Sequence, residues 1–61
     1  MKPINRLRQE YRLFTTAKTS SEQYQREIKY NNMRLFCLDC ELLSFSEIEL
    51  MEFEVDNEIS V

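Results

Sequence analysis

Apolar residues recur along this chain at helical rather than strand spacing. Ile4, Leu7, Tyr11 and Phe14 fall three, four and three apart. That spacing makes one stripe of an amphipathic helix over about 4–17, with Pro3 suited to the first turn. A second stripe runs Tyr24, Ile28, Asn31, Leu35, Leu38 and Leu42, alternating four and three. This is a short heptad seam with one polar member, Asn31, of the kind that sets partner register. It predicts one helix over about 21–43. The alternative is a break at Asn31-Asn32, with Asn32 capping a new helix; the continuous helix is preferred.

Residues 35–43 are the most apolar window. There Phe36, Cys40 and Leu43 form a second line, roughly opposite Leu35, Leu38 and Leu42. A helix apolar on two sides needs cover on two sides. The window is therefore expected at the middle of a dimer or partner interface built from Tyr24, Ile28, Asn31, Leu35, Phe36, Leu38 and Leu42.

The breaks between stripes are hydroxyl-rich. In 15–21, Thr19-x-x-Glu22 and Ser20-x-x-Gln23 match capping boxes. In 44–46, Ser46-x-x-Glu49 does the same. The stretch 47–55 is ambiguous. As a helix it puts Ile48, Met51 and Val55 on one face, with Leu50 and Phe53 pointing elsewhere. As a strand it alternates with a slip at Met51 that needs a bulge. The cap favours a helix over 46–55. Residues 56–61 read as a mobile acidic tail after a single domain spanning 1–55.

The chain has 61 residues, no glycine and one proline. Without glycine, tight hairpin turns are disfavoured and asparagines are the natural residues for positive φ. The expected fold is all-α, a helical hairpin or three-helix bundle; the alternative is α+β with 47–55 as a strand. A core this small calls for a staple. Two cysteines three positions apart do not supply one, which leaves self-association or folding on a partner.

Charge divides the chain. Residues 1–34 hold all eight Lys/Arg and three acids, for +5; residues 35–61 hold eight acids and no base, for −8, giving −3 overall. The acids Glu47, Glu49, Glu52 and Glu54 are expected to form a docking face for a basic partner. Arg6, Arg8 and Arg12 are candidate anion contacts, although a net acidic molecule repels a polyanion.

Candidate chemistry is sparse. Cys37-Leu38-Asp39-Cys40 supplies two thiols where a structural zinc site takes four ligands, and histidine is absent. Packing is the expected role of both cysteines, with an intersubunit metal site or a redox pair as alternatives. No metal, no cofactor and no catalytic set is expected. Neither a secretory leader nor a membrane span is expected, and the free thiols suit a cytoplasmic setting.

These features point to a small, acidic, non-enzymatic protein-binding regulator such as an inhibitor, adaptor or antitoxin-like factor, acting as a homodimer or heteromer. One alternative is a nucleic-acid-binding module using the basic half. Another is pairing of the two halves within the molecule, with the acidic third segment along the basic first helix and the charge split serving as a folding device.

Overall fold

In a computed structural model, residues 2–60 are described, the side chain of Ser60 excepted. They form three helices: α1 (Pro3–Thr15), α2 (Ser20–Asp39) and α3 (Phe45–Ser60). The architecture is all-α, and the described residues contain no strand. Four- and five-residue links reverse the chain twice, so α1 and α3 run parallel with α2 antiparallel to both. Close backbone approach is made by α1 to each of its neighbours. The first helix, not the second, is the middle of the fold.

Helix α1 starts where its sequence says, with Pro3 in the first turn. It stops two residues early, at Thr15, where the hydroxyls of Thr15 and Thr16 donate back to the carbonyls of Tyr11 and Arg12. Helix α2 begins at the expected cap: Thr19 Oγ1 accepts from Glu22 N–H at 3.1 Å. It passes Asn31-Asn32 unbroken.

The C-terminus of α2 differs from expectation. The helix ends at Asp39, short of 43, in a Schellman turn. Leu42 N–H donates to Cys37 C=O at 2.9 Å and Glu41 N–H to Leu38 C=O at 3.2 Å. The turn needs a left-handed residue, and Glu41 takes it at φ 56°. Among the described residues no asparagine has positive φ. The carbonyl geometry of the helix end, not local residue preference, chooses the position.

The α3 cap is also shifted. Ser44 Oγ accepts from Glu47 N–H at 3.2 Å while Glu47 Oε1 accepts from Ser44 N–H at 3.1 Å. The reciprocal box is thus Ser44-x-x-Glu47, not Ser46-x-x-Glu49, and the helix starts at Phe45. At its other end α3 continues through Ser60, well past 55. The segment expected as a tail is helical because it has something to dock on. Val55 is fully buried, and Asp56 and Glu58 meet α1. Val61 lies outside the described residues.

The core is Leu7, Tyr30, Cys37, Leu43, Ile48, Met51 and Val55, flanked by partly buried Ile4, Tyr11, Phe14, Met33 and Leu38. The α1 stripe and the Ile48–Met51–Val55 face both pack as their spacing predicts. Tyr11, Phe14 and Tyr30 form a ring cluster, with Tyr11 and Tyr30 centroids 4.9 Å apart. Glu10 is a buried polar exception in the α1 stripe.

Candidate interaction surface

Helix α2 inserts Tyr30, Met33 and Cys37 into the bundle. At 3.6 residues per turn, the seam Tyr24–Ile28–Asn31–Leu35–Leu38 lies roughly 150° around the helix from those three. Its members are therefore left outside. Tyr24 is 66% exposed, Ile28 45% and Leu35 53%. Asn31 is exposed as well, and Leu38 sits half-buried at the inner edge. The most regular apolar pattern in the sequence is the one the fold does not use. Its own bundle contact on α2 is the weaker series of one tyrosine, one methionine and one cysteine.

The remaining interface candidates separate. Leu42 leaves the helix in the Schellman turn but still adjoins Leu38. The two line a shallow pocket of about 340 Å³ with Glu41, Leu43, Ser44 and Glu47. Phe36 is exposed on the opposite flank of α2, away from the seam. The second line expected through Phe36, Cys40 and Leu43 does not form a covered face. Leu43 alone is buried, from the loop, while Phe36 and Cys40 face solvent. On α3, Leu50 and Phe53 point outward, as the helical reading required.

The acids expected to act together are split among different tasks. Glu47 caps α3. Glu52 accepts from the Tyr30 hydroxyl at 2.6 Å and lies 3.9 Å from Arg34. Glu54 faces Arg8 at 4.0 Å across the α1–α3 groove. Glu49 is exposed. Successive positions around α3 aim them apart, so they do not form one docking face.

The arginines are engaged from within the chain. Arg12 grips Glu58 with two bonds, Nε at 3.1 Å and Nη2 at 2.9 Å. Arg8 and Arg12 are one helical turn apart, as are their partners Glu54 and Glu58, so the two parallel helices carry a short charge ladder. Between the rungs, the Tyr11 hydroxyl donates to Asp56 at 2.9 Å. Arg6 lies 3.7 Å from Glu10, which Lys29 of α2 also approaches at 3.5 Å. The other Glu10 oxygen, Oε2, is buried without a hydrogen-bond partner.

These contacts set the protonation of several groups. The hydrogen bond from Arg12 holds the Glu58 carboxyl below its ordinary value. Burial, helped by Asp56, pushes the Tyr11 phenol up to about 12. Burial, then the bond to Glu52, pushes Tyr30 higher still. Burial also raises the Cys37 thiol, the opposite of what a reactive thiolate needs. Cys40 is exposed at the end of α2, so the two cysteines have different surroundings. Among the described residues, no group of three or more His, Cys, Asp or Glu is placed to hold a metal ion. No helix among them is long and apolar enough to cross a membrane.

Sequence spacing located the seam but assigned too much to it. It missed Met33 as a residue packed on the core and Glu10 as a buried one. The signal for Tyr30 and Cys37 was present as a second, seven-residue spacing on the same helix. No family model, no curated protein and no solved structure matches the chain.

Proposed function

We propose that this chain is a small, non-enzymatic protein-binding regulator, of inhibitor or adaptor type, whose docking element is the outward face of α2. One observation carries the reading: Tyr24, Ile28 and Leu35 repeat at heptad spacing on a helix whose inner side is already filled, and all three face solvent. A long side chain left at regular spacing on one helical face is what helix-in-groove or helix-on-helix recognition uses. Scattered single apolar residues need no such account; a continuous line does.

The electrostatics shift where recognition is expected. With Glu52, Glu54 and Glu58 turned toward Arg34, Arg8 and Arg12, attraction of a basic partner falls to the outer acids such as Glu49, and contributes more to the rate of encounter than to affinity. The same contacts engage Arg8, Arg12 and Arg34, three of the basic residues that a nucleic-acid reading would use.

The test is affinity capture from the source cell, run in parallel with the full chain and with Leu35→Asp. The reading expects a partner retained by the first and lost by the second, with both proteins giving the same helical spectrum. Equal recovery on both would remove α2 as the docking element.

A further inference from the structure

We infer that the outward face of α2 pairs with the same face of a second copy of this chain, the two helices parallel and in register about Asn31. This rests on the docking role proposed above for that face and names its occupant.

The first argument is Asn31. It stands in the middle of the seam, seven residues after Tyr24 and seven before Leu38. Covered by an apolar partner, its amide would lose water and gain nothing, a costly change. Two copies in parallel register bring like seam positions together, so Asn31 meets Asn31 and the amides satisfy each other. A slip by one seam position would set it against Ile28 or Leu35. An antiparallel pair with regular knobs-into-holes layers does the same. A single chain thus supplies by symmetry the one partner group the seam lacks.

The second argument is area. Tyr24, Ile28, Leu35 and Leu42 are each between 45% and 66% exposed. With ~200 Å² for a large side chain, they leave roughly 400 Å² of surface per copy. Two copies, with Asn31 and the flanking Gln25, Glu27 and Asn32, reach the ~1,000 Å² at which specific interfaces begin. The interface is small, so association depends on concentration. Along α2 itself, parallel register sets Glu27 near Asn32 and Arg34 near Asp39 of the other copy.

The experiment has two arms on the full chain. The first is mass by light scattering over a concentration series. The second is a Tyr24→Cys variant carrying Cys40→Ser, so that Cys37, which is buried, is the only other thiol. Parallel register brings the two position-24 carbons within disulfide reach. An antiparallel pair centred on Asn31 would hold them about 20 Å apart. The expected result is a mass rising toward twice the 7.4 kDa of one chain, with most chains linked through position 24 on mild oxidation. A single-chain mass at every concentration overturns the inference. So does a dimer that does not link at position 24. If the chain stays single while Leu35→Asp still abolishes capture of another protein, the second-copy assignment falls and the docking role of the face stands.

Discussion

At the scale of single residues, Glu41 is the clearest departure from local preference. A left-handed backbone costs a residue with a Cβ about 1–2 kcal/mol, and the chain has no glycine to spend there. The Schellman bonds to Cys37 and Leu38, and the burial of Leu43 just beyond, hold the turn in place. Glu41→Gly is therefore expected to stabilise the fold by about 1 kcal/mol, net of the added freedom of the unfolded chain. Thermal unfolding should show a midpoint raised by ~4–8 °C. A lowered midpoint would mean that the Glu41 side chain contributes something the geometry does not reveal. Spacing alone could not have found this residue. It depends on where α2 stops, and that is set by how Leu43 reaches the core rather than by any breaker in 40–43.

At the scale of elements, the helices are tied by side chains whose protonation matters. Tyr30 crosses from α2 to Glu52 of α3 and Tyr11 from α1 to Asp56 of α3. Both phenols have a folded pKa above the ordinary 10. Their contribution is fully present below pH 10 and shrinks as pH rises past it, because the unfolded chain loses those protons first. The share of Tyr11 is gone by about pH 12. Tyr30→Phe should cost about 1–2 kcal/mol at neutral pH, as a buried hydroxyl bonded to a charged acceptor is lost. It should also flatten the fall in stability above pH 10. Urea titrations of both proteins at pH 7 and pH 11 decide it; parallel losses at the two pH values would show that Tyr30 titrates no differently when folded.

The element boundaries explain much of what the sequence could and could not show. The stripe of α1 was legible because its apolar residues share one face, and in α3 the Ile48–Met51–Val55 face was legible once the cap decided for helix over strand. Helix α2 has two candidate faces, and the more regular aliphatic one stays outside. Hydrophobicity ranks Ile28 and Leu35 above Tyr30 and Cys37, yet Tyr30 fits between Tyr11 and Phe14 and reaches Glu52. Shape and a hydrogen-bond partner decided the inner face, and neither is visible in periodicity. The end of α3 was missed for a related reason. Acids at 56 and 58 look like a solvated tail until Tyr11 and Arg12 are set beside them.

At the scale of the whole molecule, the charge divide serves the fold. An acidic end is unfavourable at the C-terminus of α3, where the helix dipole is already negative. The Arg12–Glu58 contact and its neighbour Arg8–Glu54 offset that by laying the basic helix alongside. Such exposed pairs contribute little individually and are weakened by salt. Their value lies in choosing which face of α3 meets α1. Most of the stability must come from the core of Leu7, Tyr30, Ile48, Met51 and Val55. Apart from Leu38 at its inner edge, the seam on α2 lies outside that core.

Equilibrium urea unfolding of Leu35→Asp beside Met51→Asp, at a protein concentration low enough to keep chains apart, tests this division most directly. Leu35 is half-exposed and Met51 is 1% exposed. A surface substitution changes stability by about 0.5 kcal/mol or less, whereas a buried unpaired charge costs several. The account predicts an unfolding midpoint for Leu35→Asp close to that of the unaltered chain, and a Met51→Asp protein that does not fold. Equal collapse of both would contradict it, because the outward face of α2 would then belong to the core of a single chain.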